Sequence, residues 1–474
     1  MDSFISLVTS INNFVWGPVM LVLLVGTGLY LNIILRFFSF RNWMHAFHCL
    51  WQGREHQSEK GEISPWNALM TALAGDIGTG NIVGVATALA IGGPGALFWM
   101  WVTALVGMMT KFAEIILAMK YREKTPSGRW VGGAMYFIKN GLGPKWKWLG
   151  TCFAIFGFIA CFGIGNLVQV NAIAVSMDKS FSVPTWVTGL VLLLFLALIL
   201  LGGVKRIGAV AGRLVPLMAV VYIAFALIVI IMNITEVPRV FWWVVSEAFT
   251  PTSAEGGFAG ATVLLTIRMG VARGIFSNEA GVGAAACAAG SAGVSHPVKQ
   301  GLVQVLSVFL DTCMICTATA MLLLCSGVEP DADMAGMAYV QAAMNNTLGK
   351  FGVVFITVSL FLFAFTTLLG NFYYAETGLA YLCGMTPSNG AKWCMRIVAA
   401  VVVCVGATMK LGIVWDTADV LMGFMALINV PVIVILLKPV LRCLEDYTEQ
   451  KKAGKNPVFK AEHIGLKEKV DFWN

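Results

Sequence analysis

The sequence predicts an all-α polytopic membrane protein of eleven transmembrane helices, ten of them arranged as a five-plus-five inverted repeat behind one extra N-terminal helix. Three observations carry that expectation. Of 474 residues, 58% are hydrophobic and 12% charged, with a mean hydropathy of +0.80, too little polar surface for a water-soluble globule. Apolar runs near the length of about 20 residues that a bilayer requires recur along the whole chain. Two of these runs, five apart in order, carry glycine and polar residues in their middle.

The first run, 16–35, has no basic leader and is too long for a signal peptide, so it counts as a helix. The second, 65–91, contains "GDIGTGNIVG" at 75–84. The third to sixth are 96–119, 149–177, 186–201 and 207–232. The seventh, 260–290, contains "RMGVARGIFSNEAGVG" at 268–283. Runs at 298–325 and 351–382 follow, then the short 394–405, and 417–437 closes the series.

Charge supports this count. If the loops alternate sides, 25 of the 32 Lys and Arg fall on one face and four on the other, with Lys111, Arg268 and Arg273 inside spans. The positive-inside rule then puts the N-terminus outside and the C-terminus in the cytoplasm, with the chain in the cell (inner) membrane. The opposite loops are acidic or neutral, as in "VEPDAD" at 328–333, and aromatics gather at belt positions such as "FWWVV" at 241–245. The net charge of +7 therefore reports topology. It argues against nucleic acid as a partner, because the basic residues form no single stripe.

Enzyme chemistry finds no footing. His45, His48, His56, His296 and His463 all fall in predicted loops or the tail, so no metal or nucleophile constellation lies in a span and no cofactor is expected. The eleven cysteines fall mostly in spans or near the cytoplasmic side and imply no disulfide framework, and Cys313 and Cys316 have CxxC spacing without a partner pair. "GDIGTGN" lacks the GK[ST] ending of a nucleotide loop.

The two interrupted runs set the organisation. An odd offset reverses orientation across the bilayer, so a five-helix unit repeated once is an inverted repeat, the arrangement in which transporters break the first helix of each repeat near the midplane. Residues 1–64 then hold an outer N-terminus, the extra helix and a cytoplasmic linker; 65–237 and 238–440 are the repeats, and 441–474 a cytoplasmic tail. Unwinding a helix in hydrocarbon bares backbone groups costing several kcal/mol each, so a break must face a ligand or polar cavity. The restarting half-helix near Thr79, Gly80 and Asn81 offers N–H groups and a positive dipole end to a carboxylate. Carbonyls between Ala74 and Ile77 favour a cation such as sodium.

Blander readings exist beside these. Gly80 and Gly84 fit small-residue helix packing, although the intramembrane Asp76 points to function. Lys111 and Glu114, at i,i+3, read as a structural pair near the cytoplasmic end of the third helix. Arg268, Arg273 and Glu279 are expected to pair with one another or with Asp311, and Asp416 with Thr417 reads as a helix N-cap at the outer face.

"GGPGALFWMWVTALVG" at 92–107 resembles the signature of the alanine or glycine:cation symporter family, and "GTGNIVGVATA" at 78–88, "GGAMYFIKNGLG" at 132–143 and "VARGIFSNEAGVG" at 271–283 are similar to further family blocks. The resemblance covers essentially the whole chain. It implies a fold like that of the leucine transporter and sodium-driven uptake of a small neutral amino acid such as alanine or glycine. It also implies a substrate site in which Thr79, Gly80 and Asn81, beside Asp76, take the carboxylate, with Gly274, Ile275, Phe276, Ser277 and Asn278 opposite. Sodium would lie between the carbonyls of Ala74 and Ile77 and the hydroxyls of Thr366 and Thr367. The alternatives are a proton-coupled symporter, with Asp76 as carrier, and a passive channel; a channel needs a polar pore lined from several helices, whereas only two runs here are polar enough.

Overall fold

The computed structural model describes residues 2–55, 62–200, 202–249, 263–409, 412–464 and 473. Leu201, residues 260–262 of the seventh predicted span, His56, Lys410 and most of the tail beyond 464 lie outside the described residues. The described strands are two short pieces, β1 (Glu123–Lys124) and β2 (Trp130–Val131), paired antiparallel. The other regular elements are helices.

In chain order α1 (Asp2–Val15), α2 (Pro18–Ile34), α3 (Phe38–Arg41) and α4 (Trp43–Glu55) lead to α5 (Pro65–Asp76). Then come α6 (Val85–Gly92), α7 (Ala96–Lys120), α8 (Ala134–Gly141), α9 (Lys147–Gly157), α10 (Asn166–Phe181), α11 (Thr185–Leu200), α12 (Gly203–Met232) and α13 (Val237–Glu247). The later part runs through α14 (Val263–Asn278), α15 (Ala286–Gly290), α16 (Pro297–Val308), α17 (Thr317–Leu324), α18 (Met337–Leu382), α19 (Asn389–Thr408), α20 (Gly412–Ile435) and α21 (Leu437–Lys452).

Local chemistry explains where several of these begin. Ser64 accepts from Asn67 N ahead of Pro65, Ser388 accepts from Ala391 N, and His296 accepts from Val298 N ahead of Pro297. Each satisfies an N–H that the first helical turn leaves open, and proline has none to lose there. Three stretches widen into π-helix: Gly80–Gly84 before α6, Phe158–Gly165 between α9 and α10, and Phe309–Cys316 between α16 and α17. Such turns concentrate at functional sites.

Among the described residues, eight helices are long and apolar enough to cross a membrane, and the pair Pro65–Asp76 and Gly80–Gly92, bent by 51°, passes the same length and hydropathy test when the two are taken together. α11 is apolar but only 16 residues long. Polarity is inverted relative to a soluble protein. Leu190, Leu194 and Leu198 of α11 and Leu217, Val220 and Ile228 of α12 face outward, whereas Asp76, Lys111, Glu114 and Asp311 are buried.

The structure departs from the sequence expectation at three places. α18 is two helical stretches meeting at the non-helical Gly349 (φ 58), so the predicted run 351–382 is its second stretch and an additional one from Met337 precedes it. α19 is 20 residues long and fills out the short tenth run. α20 starts at Gly412, so Asp416 and Thr417 sit inside its first turns and do not cap it; Asp416 instead accepts from Asn12 Nδ2 at 3.1 Å, tying α1 to α20.

Candidate functional site

The first break forms because the chain is pressed against α18. A Cβ at Gly78 would collide with Thr367 Oγ1, and one at Gly370 would lie 2.6 Å from Gly75 N. α5 ends at Asp76, and Ile77 turns extended (φ −82, ψ 96). Its carbonyl accepts from Thr367 Oγ1 at 3.1 Å. The bared N–H groups are also met from inside the protein: Gly78 N donates to Asn81 Oδ1 at 2.8 Å, and Thr79 N to Gln169 Oε1 at 3.1 Å. The expectation of unpaired N–H groups at this restart is corrected for Thr79, for the reason that makes any break costly in hydrocarbon.

The second break follows α14. Glu279 adopts a left-handed φ of 53°, and Gly281 and Gly283 follow at 85° and 95°. Asp311, on the third π stretch, ties the two breaks together. Its carboxylate accepts from Asn81 Nδ2 at 2.6 Å, Ser277 Oγ at 2.7 Å and Thr312 Oγ1 at 2.8 Å. Asn278 Nδ2 donates to Thr312 Oγ1 at 3.0 Å.

Lys111 enters from α7. Its ammonium donates to Asn278 O at 2.9 Å and lies 3.6 Å from Asp76 Oδ2. It therefore meets the C-terminal ends of α5 and α14 together, where a positive charge is favoured. Glu114 accepts from Asn429 Nδ2 at 2.9 Å. The expected Lys111–Glu114 pair is thus corrected: two exposed helix ends and the Asp76 carboxylate outcompete a neighbour on the same helix.

Between the breaks is a cavity of about 40 Å³, lined by Gly75, Gln169, Phe276, Glu279, Thr367 and Asn371, by Ala160, Cys161 and Gly165 of the second π stretch, and by apolar residues that include Met422 and Met425. Of the substrate and sodium residues expected from sequence, Phe276 and Thr367 line it. A Cβ on Gly80 would lie 3.1 Å from the Phe276 ring, and the Ala74 backbone abuts Gly370. Asp76, Thr79, Asn81, Ser277 and Asn278 stand behind the lining in the contacts given above, with Thr79 Oγ1 buried and without a partner among the described residues.

Other expected residues point elsewhere. Gly274 faces Met100 and Thr103 of α7, and Ile275 belongs to the packed core. Thr366 donates to Phe363 O at 2.9 Å and contacts Met218 Sδ at 3.6 Å. Consecutive helical residues point about 100° apart, so Thr366 and Thr367 do not address one break together.

Sequence reasoning missed Gln169, Asn371 and Glu279 as lining residues. The available signal was the cost of Gln169 and Asn371 inside otherwise apolar runs. It also missed the partner of Arg273, whose Nη1 and Nη2 meet Asp419 Oδ1 and Oδ2 at 3.2 and 2.5 Å. That guanidinium lies 5.6 Å from the Phe276 ring and 5.7 Å from that of Trp415, clamping α14 to α20 beside the cavity. Arg268 donates to Asn13 Oδ1 at 2.8 Å. The expected pairing of Arg268 and Arg273 with Glu279 or Asp311 is corrected accordingly.

The family model of the sodium:alanine symporters matches residues 1–461. The chain belongs to the sodium:alanine symporter family. This family member is 42% identical over 454 residues to the sodium/alanine symporter AgcS of Methanococcus maripaludis, covering 95% of this chain and 98% of that protein. It is 40% identical to a putative sodium/proton-dependent alanine carrier protein, YrbD, of Bacillus subtilis, over 98% of this chain and 97% of the relative. An uncharacterised transporter of Haemophilus influenzae is 43% identical, with 94% and 97% covered. A manganese transporter of Eremococcus coleocola, in a mutant form, superposes with a TM-score of 0.53 at 14% identity, over 83% of this chain and 81% of that one. That is a likeness of fold alone. Family and relatives make the symporter-family chain a membrane transport protein.

Proposed function

We propose that the protein couples sodium movement to the uptake of a small neutral amino acid, alanine or glycine, by alternating access across the cell (inner) membrane. The observation that carries this reading is Thr367, which lines the cavity and bonds the Ile77 carbonyl freed by the first break. A carbonyl and a hydroxyl beside a dipole end suit a hard cation. One water requires roughly 10–15 Å³ of such space, so a cavity of about 40 Å³ suits a cargo of few heavy atoms.

In this reading the protein has eleven spans. The pairs α5/α6 and α14/α15 open inverted repeats at 65–237 and 238–440, α2 is the added helix, the N-terminus is outside and the C-terminus cytoplasmic. Proteoliposomes given labelled alanine or glycine under separate sodium and proton gradients test the function. Accumulation on the sodium gradient is expected; accumulation in sodium-free medium on a pH gradient would refute sodium coupling, and mere equilibration would indicate a channel.

Two variants probe the site. Thr367→Val removes the hydroxyl and is expected to raise the sodium concentration for half-maximal uptake about tenfold, roughly 1.4 kcal/mol, whereas Thr366→Val stays within about twofold. An unchanged sodium dependence in Thr367→Val moves the cation elsewhere. Phe276→Ala is expected to admit valine or leucine while weakening alanine, since a small apolar pocket separates neighbours by only about 1–3 kcal/mol and rejects bulk by overlap. Competition of unlabelled amino acids against alanine uptake measures it, and a parent inhibited equally by phenylalanine and glycine would contradict the small pocket.

A further inference from the structure

We propose that Glu279 anchors the α-ammonium group of the transported amino acid. The inference rests on the amino-acid reading above and assigns one pole of the zwitterion to a residue outside the sites expected from sequence.

Among the described residues, Glu279 is the single charged side chain lining the cavity between the breaks. It is 7% exposed, and its Oε2 has no hydrogen-bond partner. A buried carboxylate oxygen without a donor is costly, and a ligand that brings N–H groups removes the cost. Asp76 Oδ1 and Oδ2 and Glu114 Oε1 also lack a hydrogen-bond partner among the described residues, but none of the other carboxylates of this region lines the cavity. Asp311 has three donors, Asp76 has Lys111 as counter-charge, Glu114 has Asn429, and Asp419 has Arg273.

The backbone gives a second, independent reason. Glu279 holds a φ of 53°, a left-handed conformation that a non-glycine residue adopts at a cost, and such strain gathers where function requires a side chain to be aimed. The Glu279 N–H is fixed on Ile275 O at 2.9 Å, so the turn is held from the end of α14. The geometry therefore spends conformational freedom to bring an acid to the cavity wall.

The opposite pole has a counterpart. Gln169 also lines the cavity, and its Oε1 accepts from Thr79 N, which turns the amide toward its donor role for the rest of the site. A carboxylate accepts N–H donors and an ammonium donates to a carboxylate. The lining thus suits an α-amino acid zwitterion. It rejects a carboxylic acid of the same size that lacks the amine, because that ligand would leave Glu279 both desolvated and unpaired.

The experiment uses the full chain in proteoliposomes and in detergent. Glu279→Gln keeps the shape and removes the charge. It is expected to lower apparent alanine affinity roughly a hundredfold or more, while sodium still stabilises the variant against thermal unfolding as it does the parent. Glu279→Asp is expected to recover part of the alanine affinity. In the parent, propionate, which is alanine without its amine, is expected to leave alanine uptake unaffected at concentrations where glycine competes fully. Glu279→Gln with alanine affinity within threefold of the parent overturns the proposal, as does a parent inhibited equally by propionate and glycine. The propionate comparison needs no variant, so it decides even if Glu279→Gln does not fold. A parent that neither binds nor takes up any amino acid in sodium counts against the function proposed above, an outcome distinct from either of these.

Discussion

Replacing Lys111 by methionine is expected to abolish amino-acid uptake and to lower the thermal unfolding midpoint of the purified protein more than any other substitution on α7. The ammonium is fully buried, donates to Asn278 O at 2.9 Å and lies 3.6 Å from Asp76 Oδ2. Removing one member of a buried ion pair costs about 3–5 kcal/mol, because the partner is left as an uncompensated charge. Here the loss also uncovers the C-terminal ends of α5 and α14, whose carbonyl dipoles the ammonium offsets. The double variant Lys111→Met with Asp76→Asn removes both charges and is expected to regain much of the unfolding midpoint while transport stays impaired. A Lys111→Met protein that melts and transports like the parent would show that the ammonium does not hold the breaks.

The fold was legible wherever the bilayer itself constrains the chain. A span must be long and apolar, and a glycine-rich polar interruption is tolerated only where something polar faces it. The runs at 65–91 and 260–290 therefore announced their breaks, and α5 does stop at Asp76 and α14 at Asn278. Less legible were features that hydropathy does not mark. The helical stretch from Met337 to the kink at Gly349 carries Gln341, Asn345 and Asn346 and so did not read as part of an apolar run. α1 packs against α20 through contacts such as Asn12 Nδ2 to Asp416 Oδ1 at 3.1 Å, and a partner some 400 residues away leaves no local pattern.

The site shows the same division. Residue types were readable, and partners were not. Asp76, Asn81, Ser277 and Thr367 stood out because polar groups inside spans are expensive. Their assigned roles then depended on which neighbour each would meet. Lys111 has Glu114 three residues away and still turns to Asp76 and Asn278, because the third dimension offers it two helix ends. Arg273 finds Asp419, 146 residues away, where the nearby Glu279 had seemed a partner. The adjacent threonines illustrate the limit of a sequence motif: side by side in the chain, they diverge around the helix, and the Ile77 carbonyl is met by Thr367 alone of the two.

Asp311→Ala is expected to reduce uptake below about one hundredth of the parent rate at equal amounts of protein in the membrane, and to leave less protein there. Asp311 is the acceptor on which the first break, through Asn81, and the second, through Ser277, converge. Alanine supplies no acceptor, so the donors of Asn81, Ser277 and Thr312 are stranded in a dry core, at about 1–3 kcal/mol each. The consequence is specific to the relation between the breaks. Either unwound segment remains packed against its own neighbours, Gly78 against Thr367 and Gly283 against Phe153, but their mutual position is no longer fixed. Asp311→Asn keeps one acceptor oxygen and the shape while replacing the other with a donor, so it is expected to fold better than Asp311→Ala and to lose about tenfold in alanine affinity, roughly 1.4 kcal/mol. Uptake of labelled alanine, normalised to protein recovered from the membrane, separates the two losses. Parent-like uptake in Asp311→Ala would mean that the breaks do not depend on this carboxylate for their alignment. Loss of protein without any change in rate per molecule would restrict Asp311 to folding.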